Sequence, residues 1–351
     1  MPTAKMKKVN IREVARVAGM SIASVSRALH HQHSPYLSEG QRAHILKVCD
    51  ELQYYPNEHA RRMLSQRANT VAIFFPSFGI PENSFGSHML DANFGSCILG
   101  IQSVLAENTI QLMLCEVSED FLLKKQHLNM IRGKMIDGIL SWGITNNDEY
   151  VHGLLNEGTP LVMVQNEKKD CNCVKIIADD YLGMKSVLKR VFDCGHRKIA
   201  ILNPLESSST GCERKRGIDD AMAEYGMPPV FITSGRGYGY EFGRQSAMEI
   251  LDNCPDVTCI IASNDMAAWG CIEVARQRKL RIPEDISITG ADGLKEPGDV
   301  IVSSFFSPSY EIGRQGAECL LKLIAGEKNT GRICLPTIPI IGNTLGVNHA
   351  K

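Results

Sequence analysis

Residues 9–29 read VNIREVARVAGMSIASVSRAL, and this stretch decides how the chain is understood. Ile11, Val14, Ala15 and Ala18 recur at helical spacing. Gly19-Met20 follows, where glycine accepts left-handed backbone angles at little cost. Ser21 suits a helix N-cap, and Ile22 to Leu29 make a second short helix with Val25 and Leu29 turned inward. After a loop containing Pro35, Ser38-Glu39-Gly40-Gln41 has the pattern of a capping box. A third helix then runs to about Leu52, with Ile45, Val48 and Leu52 on its buried stripe. Three short helices with a glycine turn between the first two describe a helix-turn-helix.

The charge distribution agrees with a nucleic-acid-binding head. The 351 residues carry a formal net charge of −1, but not evenly. Residues 1–67 hold eleven lysines and arginines against five acids, +6; the remainder holds 27 against 34, −7. A basic head on an acidic body points to a polyanion handled at one end only. The chain is long enough for two or three domains. No stretch approaches the roughly 18 apolar residues of a membrane span. The polar, basic Met1–Asn10 segment is no secretory signal, so a cytoplasmic protein is expected, with twelve scattered cysteines as reduced thiols.

The quoted segment resembles the N-terminal signature of the lactose-repressor/galactose-repressor (LacI/GalR) family. A second landmark, Tyr54-Tyr55-Pro56-Asn57 followed by Ala60-Arg61, resembles that family's passage into its hinge helix. The likeness continues along the body to the C-terminus. It implies three domains: a helix-turn-helix domain at 1–55, a hinge helix and linker at 56–69, and an effector-binding and dimerisation domain at 70–351. The function it implies is a transcription regulator, acting as a repressor, that reads a palindromic operator on double-stranded DNA as a homodimer. No cofactor and no metal are expected. The alternative is a regulator controlled by a protein partner or by no ligand.

The second helix offers Ile22, Ala23 and Arg27 on one face, where such motifs meet base edges in the major groove. Arg27 can pair with guanine in a bidentate manner, and Ile22 and Ala23 can pack on thymine methyls. Ser21, Ser24, Ser26, Tyr54 and Asn57 are read as phosphate contacts, which fix register without reading sequence. For the serines, plain solvated helix surface is the competing reading. In the family, paired hinge helices enter the minor groove and wedge a leucine. Alignment on Asn57, Ala60 and Arg61 puts Met63 in that place, with Leu64 beside it. Either can wedge, or both can pack between hinge helices.

From residue 70 onward, short apolar runs such as Val71–Phe75, Leu161–Val164 and Cys259–Ile261 alternate with amphipathic stretches such as Gly183–Phe192 and Met266–Arg278. That alternation implies parallel sheets with helical crossovers, in two lobes. The resemblance adds a periplasmic-binding-protein-like body of two Rossmann-like lobes with three crossings. Lobe 1 is expected at about 70–165 and 303–330, lobe 2 at about 166–302 and 331–351.

Ligands of such folds lie at the carboxyl ends of the strands. The resemblance places Asn264, Asp292, Tyr238, Gln165 and Cys212 at the effector site. A small, carbohydrate-related effector is the expected ligand. Two positions depart from the family pattern. Cys212 stands where the first arginine of Cys212-Glu213-Arg214-Lys215-Arg216 usually clamps the ligand, with Arg214 as a substitute if the backbone shifts. Gln165 stands where an acid is frequent. The long stretch Ser77–Asn93 has no assigned role. Ile341–Lys351 lacks a leucine-rich tetramerisation helix, so a dimer is expected.

An enzyme is the main rival class. Gly235-Arg236-Gly237-Tyr238-Gly239 is not a full dinucleotide fingerprint, and no nucleophile elbow or zinc-protease motif is visible. Cys171-Asn172-Cys173 with Cys194 and His196 fits no common zinc spacing. An extracytoplasmic binding protein is the other rival, and the basic head argues against it.

Overall fold

The computed structural model describes residues 9–30, 36–55, 67–76, 92–145, 147–295 and 298–348, in two units, Met1–Arg67 and Ala68–Lys351. Asn57, Ala60, Met63 and Leu64, and residues 77–91 of the long loop, lie outside the described residues.

The head contains α1 (Ile11–Ala18), α2 (Ile22–His30) and α3 (Glu39–Glu51). Asn10 caps α1 by accepting from the amides of Arg12 and Glu13. Gly19 ends α1 at φ 62°, the left-handed turn its missing Cβ permits. Ser21 Oγ accepts from the Ser24 amide at 3.0 Å and so starts α2. Both halves of the Ser38/Gln41 capping box are present. The core joins Val14, Ala15 and Ala18 to Val25 and Ala28 and to Ile45, Val48 and Cys49. Leu29, expected inside, is only partly buried, and Ala28 takes the fully buried place beside Val25.

The body's first sheet is wholly parallel. Its strands are β1 (Thr70–Pro76), β2 (Gln111–Val117), β3 (Gly138–Trp142), β4 (Leu161–Val164), β5 (Val174–Ala178) and β11 (Gly331–Leu335), in the order β11-β5-β4-β3-β1-β2. One face packs on α4 (Ala92–Glu107) and α12 (Ser309–Ile324) through Phe94, Ile101, Leu105, Ile312 and Leu320. The other packs on α5 (Glu119–Leu123), α6 (Gln126–Arg132) and α7 (Tyr150–Asn156) through Phe121, Met130, Val151 and Leu154.

The second sheet is also parallel, with β6 (Ile199–Asn203), β7 (Phe231–Arg236), β8 (Cys259–Ile261) and β9 (Ser287–Thr289) ordered β7-β6-β8-β9. Helices α8 (Asp180–Asp193) and α9 (Ser209–Glu224) cover one face. Helices α10 (Tyr240–Asn253) and α11 (Asp265–Gln277) cover the other. A short antiparallel ribbon, β10 (Ser304–Phe306) with β12 (Ile338–Ile340), completes the topology, and Phe305 of β10 lies in the second lobe's core.

These pairings correct the expected lobe boundaries. Val174–Ala178 and Gly331–Leu335 belong to the first sheet, because the fully buried β5 pairs with β4 on one side and β11 on the other. Ser304–Phe306, expected in lobe 1, belongs to lobe 2. The crossings therefore fall at residue 179, at 307–308 and at 336–337. The first and third are tied together: the Asp179 amide donates to the Leu335 carbonyl at 2.9 Å, and Thr337 Oγ1 donates to the Asp179 carbonyl.

Two helix pairs meet backbone to backbone. A Cβ on Gly100 would lie 2.0 Å from the Tyr310 carbonyl oxygen, and one on Gly313 2.1 Å from that of Cys97, so α4 and α12 touch at reciprocal glycines. In the second lobe, Gly243 and Gly270 make the same approach between α10 and α11.

Candidate functional site

On the head, the helical period separates reading from packing. Val25 and Ala28 are buried, whereas Ser21, Ile22, Ala23 and Arg27 are exposed on the opposite side of α2. Ile22 is a large apolar side chain left 46 % exposed, which an apolar partner such as a thymine methyl would cover. The Arg27 guanidinium lies 5.2 Å from the centre of the Tyr36 ring, which orients it without burying it. Ser21 and Ser24 bond to each other, Oγ to Oγ at 2.9 Å, and Ser26 is half-buried. Tyr54 packs its ring partly against the head core, and that burial pushes its hydroxyl pKa up.

In the body, the lobes meet where the end of β4 faces the start of α9. Asn166 Nδ2 donates to Thr210 Oγ1 at 3.1 Å, the Glu167 amide donates to Ser209 Oγ at 2.8 Å, and Thr145 forms a β-bridge with Ser208. Gln165 sits just past β4 at φ 69°, with its amide bonded to the Ile176 carbonyl. Its Nε2 donates to Ser307 Oγ at 3.2 Å, while its buried Oε1 has no hydrogen-bond partner among the described residues. Ser309 Oγ, two residues on, donates to Asn93 Oδ1.

The second lobe's contribution centres on Asp292, past the end of β9. Its φ is 106°, a conformation that costs a non-glycine residue about 1–3 kcal/mol and persists only where surroundings impose it. Here its amide donates to the Phe305 carbonyl and its own carbonyl accepts from the Ser307 amide. Asn264 caps α11, with Oδ1 accepting from the Ala267 amide at 2.9 Å, and its side chain helps hold the Asp292 carboxylate in its charged form. Tyr238 is half-buried, its hydroxyl 3.4 Å from Ser208 Oγ and its ring 5.9 Å from the Arg214 guanidinium. Burial pushes the Tyr238 hydroxyl up to about 12.

Two sequence expectations are revised. The Cys212 thiol turns back to the Glu206 carbonyl at 3.1 Å. Arg214 does not replace the missing arginine. It is 2 % exposed and faces the lobe interior, donating to Asp180 Oδ1 at 2.8 Å, to the Ser263 carbonyl at 2.9 Å and to Asp292 Oδ1. Asp180 was not singled out by sequence reasoning. The available signal was the doublet Asp179-Asp180: Asp179 caps α8 by accepting from the Leu182 amide, which leaves the second aspartate to point inward. Asp265, fully buried, accepts from the Leu294 amide at 2.7 Å. Desolvation raises the pKa of Asp180, Asp265 and Asp292, and the Arg214 guanidinium, bonded to Asp180 and Asp292, only partly offsets it. Cys171 and Cys173 are not brought together with Cys194 and His196. His196 bonds Thr258 and the Gly346 carbonyl in the second lobe, whereas Cys171 lies beside His152 in the first.

Residues 81–344 match the family of periplasmic binding proteins and sugar binding domains of the LacI family, and residues 10–57 match the bacterial regulatory proteins of the lacI family. The chain belongs to the LacI family. It is a helix-turn-helix transcriptional regulator with a periplasmic-binding-protein-like body. The HTH-type transcriptional regulator DegA of Bacillus subtilis is 28 % identical over 333 residues, covering 93 % of each chain. The fold is that of the lac repressor dimer bound to operator and the anti-inducer ONPF (TM-score 0.81, 20 % identity, 97 % of this chain and 100 % of that one). It is also that of a CelR–cellobiose complex (TM-score 0.70, 24 % identity, 96 % and 99 %). Among the described residues, no helix is long and apolar enough to cross a membrane.

Proposed function

We propose that this LacI-family regulator is a cytoplasmic, non-enzymatic repressor that binds a palindromic operator as a homodimer and is controlled by a neutral, carbohydrate-related effector between the lobes of its body. The observation that carries the effector reading is the pairing of an unpartnered buried acceptor, Gln165 Oε1, on one lobe with the strained, Arg214-held Asp292 carboxylate on the other. An orphaned acceptor at that depth is satisfied by a ligand hydroxyl, and an aspartate serves as acceptor for another. Tyr238 supplies a ring for a sugar face. Cys212 contributes shape rather than charge, and Arg214 holds Asp292 rather than ligand. Arg27, Ile22 and Ala23 read bases; Ser21, Ser24, Ser26, Tyr54 and Asn57 hold phosphates; Ala60, Met63 and Leu64 face the minor groove from the hinge. Dimerisation is supported by exposed Leu99 on α4 and Leu114 on edge strand β2, apolar surface that a second copy would cover.

Selection of bound duplexes from a random pool at fixed salt tests the DNA half. A palindrome is the expected product, and isolated half-sites would overturn the dimeric reader. Thermal-shift screening with neutral mono- and disaccharides tests the effector half. A stabilising sugar whose effect is lost in Gln165→Leu supports it. Silence across the sugars, with regulation restored only by cell extract protein, would favour control by a protein partner.

A further inference from the structure

Away from the cleft, the first lobe assembles His152, Asp170 and Cys171 with Glu149. Their ligand atoms cluster closely: His152, Asp170 and Cys171 offer a nitrogen, an oxygen and a sulfur all within 4.8 Å of one another. His152 Nε2 is 3.1 Å from Asp170 Oδ2 and 4.0 Å from Cys171 Sγ. Cys171 Sγ is 3.9 Å from Asp170 Oδ1, and Glu149 Oε2 is 3.9 Å from His152 Nε2. A tetrahedral zinc with bonds of about 2.0–2.3 Å sets neighbouring ligand atoms roughly 3.3–3.6 Å apart. His152, Asp170 and Cys171 thus approach one face of the tetrahedron to within about half an ångström of that edge, and Glu149, measured against His152 alone, reaches the fourth vertex by side-chain rotation.

The charges match as well. Lys168 Nζ lies 3.1 Å from Glu149 Oε1 and 3.3 Å from Asp170 Oδ2, leaving Glu149 Oε2 and Asp170 Oδ1 turned toward the nitrogen and the sulfur. Metal ligation requires the thiolate. Two carboxylates and a thiolate then face one ammonium, and a divalent cation brings the group to neutrality. Lys168 is thereby a positioning residue that fixes both carboxylates, as outer-shell partners of metal sites do. Mixed nitrogen, oxygen and sulfur donors select zinc-like transition ions over magnesium or calcium.

We propose that Glu149, His152, Asp170 and Cys171 form a transition-metal site for a zinc-class divalent ion on the first lobe. Glu149 immediately precedes α7 without a side-chain capping bond, and His152 lies in its first turn, whereas Asp170 and Cys171 lie on the β4–β5 connection. The same connection begins with Gln165, Asn166 and Glu167 at the lobe junction. A bound ion therefore ties α7 to the segment that carries the cleft residues, and gives the regulator a second input beside its effector.

The test uses the full-length protein, stripped with chelator and titrated with cobalt(II), then zinc(II). The expected result is one cobalt per chain with a thiolate-to-metal charge-transfer band and the intense visible bands of tetrahedral cobalt, displaced by zinc. Cys171→Ser should abolish the charge-transfer band, while Cys173→Ser should leave it. His152 is partly exposed, so His152→Gln folds and should weaken binding at least ~tenfold, the loss seen even for outer-shell changes. Absence of a charge-transfer band in the parent protein overturns the proposal. So does a band that survives in Cys171→Ser, which would place the cobalt on another of the twelve cysteines.

Discussion

Replacing Arg214 by methionine removes the cation at the centre of the second lobe while keeping its length and much of its packing. The guanidinium is buried, and its bonds reach Asp180, Asp292 and the Ser263 carbonyl. In its absence two buried carboxylates confront each other with Asp265 nearby. Removing one partner of a buried ion pair costs about 3–5 kcal/mol. At ~2–4 °C per kcal/mol for a large domain, the melting temperature should fall by about 6–20 °C at pH 7. Scanning calorimetry of the full chain reads this directly. Lowering the pH should shrink the deficit, because the stranded carboxylates can then take up protons. The triple variant Arg214→Met, Asp180→Asn, Asp292→Asn should recover most of the loss, since replacing all members of a buried charged group is far milder than removing one. A deficit below ~2 °C at pH 7 would refute the reasoning, as would a triple variant no better than the single one.

Further outcomes follow from the same structure. Burial pushes Asp180 up to about 6 against the pull of Arg214. Between ~4 and ~6 the folded body therefore holds a proton that the unfolded chain has released, and this contribution to stability falls as pH rises through that window. Buried His127 and His196, whose pKa values desolvation lowers, act in the opposite sense. The measurement is accordingly the difference between Asp180→Asn and the parent: it should shift in the variant's favour from pH 4.5 to pH 7, and a flat difference contradicts the raised carboxylate. Arg27→Ala should cost about 1–3 kcal/mol in operator binding and relax preference at one base pair; equal loss on all duplexes would make it a phosphate contact. Gly313→Ala forces a methyl onto the Cys97 carbonyl and should destabilise by about 1–3 kcal/mol in a thermal melt. Operator affinity should fall steeply with salt as phosphate contacts release counterions, and a flat dependence would remove the basic head from the interface.

The head was legible because its signals are local. Asn10, Gly19, Ser21, Ser38 and Gln41 each act within four residues, and the period of Val14, Ala18, Val25 and Ile45 fixes which side is core. The lobe boundaries were not. Val174–Ala178 pairs with Gly331–Leu335 across some 150 residues of chain, and its apolar run is broken by Lys175, whose Nζ escapes to the Lys169 carbonyl. No local pattern announces that pairing. At the cleft, the strand ends at Gln165 and Asp292 were readable, yet the inward turn of Arg214 was not. Its partners Asp180, Ser263 and Asp292 are scattered over 113 positions and converge only when α8, α9 and the β8 and β9 ends pack. The metal-ligating neighbours of Cys171 were missed for the same reason, since His152 and Cys171 are separated by 19 residues and the whole of β4.

Helices that touch through glycine backbones have no cushion of side chains to shear. Sliding α4 along α12, or α10 along α11, would press carbonyl oxygens against α-carbons, so each lobe resists internal creep as a solid plate does. The compliance of the body is then concentrated in three strands of backbone at 179, 307–308 and 336–337. Ala68, where the chain joins the body, is clamped by its amide to Asp137 of the first plate at 2.8 Å. A small turn of one plate against the other is thus carried as a rigid displacement to Ala68 at the edge of the first plate.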